Sequence, residues 1–243
     1  MPRLVARGVM LVALVALSAC RSRPPVAEAA AARGSDAAGG ASADESPGMP
    51  PGWEAPDAGA GAEPADYEVG LDRSVRHAGA GSAYIRRAQA AAPRGFMALT
   101  QAVRADAYQG RRVRLSGYVR TRDVADTAGL WMQVIGADGP AGFDNMENRP
   151  IRGTADWTRH AVVLDVAEDA VVIAFGFLLQ GRGQAWVDDL RLEAVGPDVA
   201  STNIRPPRPA AAAPDSAQRE GRRKRAATLP AEPRNLDFET ARP

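Results

Sequence analysis

From Tyr67 to Val195 the chain is a succession of short apolar runs separated by Gly, Asp, Asn and Pro. The runs are YEVGLD (67–72), SAYIR (82–86), FMALTQAV (96–103), RVRLSGYVRT (112–121), GLWMQVI (129–135), RHAVVLDV (159–166), VVIAFGFLL (171–179) and AWVDDLRLEAV (185–195). In 112–121 the residues Val113, Leu115, Gly117 and Val119 fall on one side and Arg, Ser and Tyr on the other, the period-two pattern of a half-buried strand. Short strands at this spacing predict an all-β sandwich of two antiparallel sheets, each strand burying alternate side chains between them. Ala98–Ala107 reads equally as strand or helical turn. No window beyond the N-terminus shows a helical stripe.

The flanks differ. Residues 21–50 are rich in Ala, Gly, Ser and Pro and predict a disordered spacer. Residues 197–234, with PPRPAAAAP and then REGRRKR, predict a second disordered linker whose basic cluster is a solvated charge run. The expected organisation is therefore a signal segment over 1–19, a spacer over 20–50, a sandwich over 51–196, a linker over 197–234 and a short terminal segment over 235–243.

At the N-terminus, Arg3 and Arg7 precede Gly8–Leu17, an apolar run of ten residues. That is too short to span a bilayer, which takes roughly 20, and it fits the apolar region of a signal peptide. It ends in Leu17-Ser18-Ala19-Cys20, which resembles the lipobox of bacterial lipoproteins. The resemblance implies lipidation of Cys20 and a chain anchored in the cell envelope. Arg21 follows the cysteine where some lipoproteins carry an Asp that retains them at the inner membrane, so the outer membrane is favoured. Cys20 is the chain's one cysteine, which excludes an internal disulfide.

The body also resembles the galactose-binding-like jelly rolls, particularly the carbohydrate-binding modules of polysaccharide hydrolases. The resemblance is carried in order by Pro51-Gly52-Trp53, by Asp72 with His77–Ser82, by Tyr108–Arg111, by Gly153–Trp157 and by Trp186–Leu190. It implies a jelly-roll β-sandwich. The family's first strand, of the form N-L-x-F-E, is missing before Trp53. Asn235–Glu239 has that form at the other end of the chain. It is either a truncated second module or a segment that folds back as the missing edge strand, and the fold-back is favoured.

Such modules often hold a structural Ca2+, and the matching positions are Asp189, Glu239, Asp72, Gly79 and Ser82. For sugar binding the expected residues are Trp131 and Gln133 on one strand face, Tyr118, and the polar loop residues Asp144, Asn145 and Arg149, gathered on a concave face. Trp53, Trp157 and Trp186 are expected in the core.

Charge and motifs narrow the function. The body carries a small excess of acids over arginines and the tail a small excess of bases, which argues against nucleic-acid binding. No nucleophile elbow, zinc-protease pair or phosphate loop is present. Asp188 and Asp189 are neighbours on a strand and point to opposite faces. The expectation is a non-catalytic, membrane-anchored glycan-binding protein. The alternative is a protein-interaction or accessory module of an envelope complex. The sequence fixes no oligomeric state.

Overall fold

The computed structural model describes residues 45–46, 48–55, 66–87, 95–204 and 215–240. Cys20 and the N-terminal spacer lie outside the described residues, except for a few positions at the spacer's end. Residues 42–243 form one folded unit.

The strands are β1 (Glu45–Ser46), β2 (Tyr67–Asp72), β3 (Ser82–Arg87), β4 (Phe96–Arg104), β5 (Arg112–Gly136), β6 (Gly139–Asp144), β7 (Ile151–Asp165), β8 (Ala170–Gln180) and β9 (Gln184–Val195). All pairings are antiparallel. The 96–107 ambiguity resolves as strand β4 followed by a single 3-10 turn, Asp106–Tyr108.

The runs expected as two strands, 112–121 and 129–135, are one strand of 25 residues. Its first half, Arg112–Arg122, pairs with β9, and its second half, Thr127–Gly136, pairs with β8 and β6. Between them the register against β7 shifts three times, and Asp123 adopts φ 53°. Bulges bend a strand and increase its twist, so β5 turns the corner and serves both leaves. The first leaf is β1-β2-β3-β9-β5-β7 and the second is β4-β8-β5-β6. The result is an all-β sandwich of the jelly-roll type.

Alternation decides what is buried. Val113, Leu115 and Val119 of β5, then Ala128, Leu130, Met132 and Val134, point into the core. There they meet Leu99 and Val103 of β4, Ile173, Phe175, Phe177 and Leu179 of β8, and Val187 and Leu190 of β9. Trp53 joins them, its ring 6.1 Å from Phe175 and edge-on to it.

The tail differs from the expected disordered linker. Thr202 N–H donates to the Val163 carbonyl and Ile204 N–H to that of Phe143, so the chain leaving β9 lies along β7 and β6. Helix α1 follows, Ser216–Ala227. Asp215 caps it by accepting from the Gln218 amide, and Lys224 and Arg225 sit in its last turn, where cations suit the helix dipole. Arg219 pairs with Asp138 at 2.6 Å and Arg222 donates to the Ala137 carbonyl. These contacts dock a helix too polar to show an apolar stripe.

Beyond α1 the chain lies against β4, Trp53 and β9. The Gln101 side chain donates to the Arg234 carbonyl and accepts from its amide. Trp53 Nε1 donates to the Asn235 carbonyl, and Leu190 N–H to that of Leu236. Phe238 is buried beside Trp53, ring centroids 5.3 Å apart. Asn235–Glu239 thus packs onto the body, but not as a strand. Asn235 (φ 49°) and Phe238 (φ 55°) are left-handed, and two such residues within five interrupt the extended backbone that a paired strand needs.

Candidate functional site

The six residues expected to gather on one concave face divide into three groups. Trp131 and Gln133 lie on the outer side of the second leaf. Tyr118 lies on the outer side of the first. Asp144, Asn145 and Arg149 form a self-contained turn between β6 and β7.

That turn is locked from within. Asp144 is fully buried, because it stands opposite Met132 on the core side of β6. Its Oδ1 accepts from the Met146 amide at 2.7 Å, and Arg149 grips both oxygens, at 3.1 and 2.6 Å. Arg149 also donates to the Ala161 carbonyl. Asn145 Oδ1 accepts from the Glu147 amide. These are the Asx turns that Asp and Asn favour, and they use the groups that a ligand would need. Burial, with Arg149 beside it, holds the His160 imidazole below its ordinary pKa.

The outer face of the second leaf is different. Thr100, Gly176 and Trp131 stand directly opposite one another across β4, β8 and β5. Gly176 has no side chain, and a Cβ there would lie 3.2 Å from Trp131 Nε1, so the indole reaches across it. Ala98, Ala174 and Leu178 complete a small apolar cluster, with Phe96, Ala102 and Phe143 at its margin. Gln133 shares the face, opposite Ala174 and Phe143. Trp131 is 5% exposed, so it is not the open platform expected from the sequence. Two polar atoms here are buried without a hydrogen-bond partner: Trp131 Nε1 and Thr100 Oγ1. Thr100 and Gly176 carry no recognisable motif. Only the strand order β4-β8-β5 brings them to Trp131.

On the first leaf, carboxylates organise the β2–β3 connection. Asp72 Oδ1 accepts from the Ser74 amide and hydroxyl and the Val75 amide, and Oδ2 accepts from Trp186 Nε1 at 2.8 Å. Burial alone pushes the Asp72 carboxyl up, but these donors outweigh it and leave its pKa lowered. Asp188 accepts from the amides of His77, Ala78 and Asp189. Here burial wins, and the pKa is raised. Asp189, at φ 49°, directs its carboxylate to His77 Nδ1 at 2.7 Å. The imidazole stacks on Tyr118 with centroids 3.6 Å apart, and Trp157 stands edge-on to it at 5.9 Å. Trp157 is therefore on the surface, not in the core as expected, and Trp186 is buried under Arg120 and Arg122 on this same outer face.

The expected Ca2+ ligands do not fit a cation. Both oxygens of Asp72 are used by N–H and O–H donors, and Ser82 Oγ donates to the Val75 carbonyl. Asp189 is engaged by His77. Glu239 does reach Gly79, but its two oxygens share the Ala80 amide at 2.8 and 2.9 Å. Ca2+ takes six to eight oxygens. Among the described residues no three His, Cys, Asp or Glu side chains converge as a metal site would need. The loop is closed by amide hydrogens facing the carboxylates.

Two surface hollows, of about 260 and 820 Å3, open near α1 and near the β7–β8 turn, and neither touches Trp131 or Tyr118.

No family model matches the chain. A Bacillus subtilis (strain 168) protein named as an uncharacterized HTH-type transcriptional regulator, YbfP, is 43% identical over 148 residues, which cover 60% of this chain and 50% of that protein. The chain thus spans about half the length of that relative. A stretch of that length in 243 residues takes in the middle of the chain, the centre of β5 included, so the shared part contains sandwich. Among the described residues there is a single α-helix, and no helix-turn-helix pair. Among solved structures, the enzymatically active domain of bacteriophage CBA120 tailspike protein 4 is similar with a TM-score of 0.46, at 14% identity over 60% of this chain and 20% of that one. The Stig cyclase Fisc from Fischerella sp. TAU gives 0.45, at 18% identity, covering 62% and 88%. The CBM22-1 xylan-binding domain from Paenibacillus barcinonensis Xyn10C gives 0.41, at 14% identity, covering 59% and 86%. Scores at this level leave the fold to be read from the sheets themselves.

Proposed function

We propose that this chain is a non-catalytic glycan receptor, anchored by lipid at Cys20, whose ligand face is the outer side of the β4-β8-β5-β6 leaf. The observation that carries the reading is the pair of unpartnered buried atoms, Trp131 Nε1 and Thr100 Oγ1, on residues that both stand opposite Gly176 in the flanking strands. A buried polar group left without a partner costs about 1–3 kcal/mol. Two such groups in one cross-strand row, with Gln133 on the same face, supply the donors and acceptors that sugar hydroxyls need. The surrounding rings and small side chains suit the C–H faces of a pyranose. Because Trp131 is nearly enclosed, its contribution is the N–H edge, and the ligand enters by displacing the half-buried rings of Phe96 and Phe143.

The absence of a recognisable catalytic motif from the sequence supports a receptor over a catalyst. Anchoring in the envelope, with the outer membrane favoured, rests on the N-terminal pattern alone.

The test is retention of the protein in gels cast with neutral polysaccharides, preceded by a glycan array. Wild type is retained by at least one of them. Thr100→Val keeps the shape, removes the unpaired hydroxyl, and raises stability by about 1 kcal/mol. Trp131→Phe removes the N–H. Each weakens retention roughly fivefold to tenfold, the worth of one hydrogen bond. A folded wild type that binds no glycan, or the two variants binding like wild type, overturns the assignment.

A further inference from the structure

The outer face of the first leaf holds many arginines, and their partners separate them into two classes. At the margins each is matched by a carboxylate at 2.7 Å: Arg86 with Glu68, Arg112 with Asp165, and Arg114 with Glu193. In the centre none is. Arg122 donates to the neutral Gln184 side chain, and Arg159 donates to the Ser116 hydroxyl. Arg120 comes no closer to an acid than 3.7 Å, to Asp156, whose side chain is 86% exposed. The remaining acids of this face are already committed. Asp72 and Asp188 are buried and take amide, hydroxyl and indole hydrogens, and Asp189 holds His77.

These central arginines are interleaved with rings. Arg120 stands opposite Trp186 and Tyr118 opposite Arg159, in adjoining strands. The guanidinium carbons of Arg120 and Arg122 lie 6.0 and 5.3 Å from the Trp186 ring centre. His77, stacked on Tyr118 and fixed by Asp189, brings Trp157 alongside. Tyr118 and Trp157 are half-buried, so each ring keeps some surface open to solvent. Stacking on an aromatic face orients a guanidinium fork and leaves its N–H edge for a planar anion.

We infer that this face is a second binding site, separate from the one on the other leaf, and that it takes an acidic polysaccharide bearing uronate carboxylates. The carboxylates fit the forks of Arg120, Arg122 and Arg159, and the pyranose C–H faces fit Tyr118 and Trp157. Arg120, Arg122 and Arg159 gather positive charge at the centre of this face, within a body whose acids slightly outnumber its arginines. A nucleic acid would call for a strongly basic domain, and the body's acids outnumber its arginines. The partner is therefore one that offers a carboxylate and a sugar face together.

The experiment uses the full chain and polygalacturonate, measured beside the same polymer after chemical reduction of its carboxyl groups. Wild type binds the polyuronate, the affinity falls as salt rises from 50 to 500 mM, and the reduced polymer binds about tenfold or more weakly. Arg120→Gln with Arg159→Gln reproduces that loss in a protein with an unchanged melting temperature. Thr100→Val, on the other leaf, leaves polyuronate binding intact. Equal affinity for the reduced polymer overturns the inference on wild type alone, whatever the variants do. So does tighter binding to single-stranded DNA than to polyuronate. Loss of neutral-glycan retention with polyuronate binding preserved would remove the first site and leave this one standing.

Discussion

Asp72 shows how one residue's partners set its role. It is 2% exposed, with four donors on its two oxygens. Asp72→Asn removes the charge and leaves one acceptor atom where there were two. At pH 7 the variant is expected to lose about 2–3 kcal/mol. The folded pKa is lowered, so the stabilisation is present above the unfolded value, about 3.9, and disappears as pH falls through the folded one. Urea denaturation at pH 7 and pH 3 reads this out: the gap between wild type and variant is wide at pH 7 and narrows at pH 3. A gap independent of pH sinks the account. Asp188 runs the other way, since its raised pKa favours the protonated form, and its contribution fades as pH rises through the folded value. The Asp72 term is therefore read from the difference between the two proteins. The sequence marks Asp72 as a strand-end acid in a recognisable turn but cannot supply Trp186, 114 residues away. That partner exists only because β3 stands between β2 and β9. The same limit separates Trp131 from Thr100, and Tyr118 from His77.

At the scale of elements, alternation was legible wherever a strand has one face in the core and one outside. The runs at 67–72, 171–179 and 185–195 correspond closely to β2, β8 and β9. The corner of β5 was not legible, because Arg122–Ala128, between the two expected runs, is mostly polar or small and breaks the alternation. Helix α1 was hidden for a related reason: capping, ion pairs and one buried alanine, Ala226, hold it, without an apolar stripe. The terminal segment was legible in its apolar positions and not in its shape. Leu236 and Phe238 alternate as a strand would, yet two left-handed residues curl the chain so that Phe238 enters the core, 1% exposed. Phe238→Ala should cost about 3–5 kcal/mol, the usual loss for a buried ring. Deleting residues 230–243 should cost at least as much, because the Gln101, Trp53 and Leu190 hydrogen bonds go with the ring. Glu239→Gln, at an exposed site, should cost under about 1 kcal/mol. Chemical denaturation of the three variants checks the order. A deletion as stable as wild type would mean that the segment contributes nothing to the fold.

For the whole molecule, the question is whether lipid on Cys20 holds it at a membrane. Net charge is +1 over 243 residues, too small for general attraction to anionic lipid, and among the described residues no helix is long and apolar enough to cross a bilayer. If Cys20 carries the anchor, its strength comes from acyl chains, each buried CH2 contributing about 0.8 kcal/mol. One chain holds only marginally, and two or three hold firmly. Such an anchor has a signature that separates it from charge or partner binding. Membrane association survives high salt, which screens surface charge within a few ångströms, and is abolished by detergent, which solvates the chains. Cys20→Ser is then expected to leave the membrane fraction, with incorporation of labelled palmitate lost in parallel. The folded unit begins at Ser42, so the same variant should unfold at the wild-type temperature and keep its glycan binding. A Cys20→Ser protein that stays with the membrane, or one that unfolds earlier, would place the anchor elsewhere in the chain or tie the cysteine to the fold.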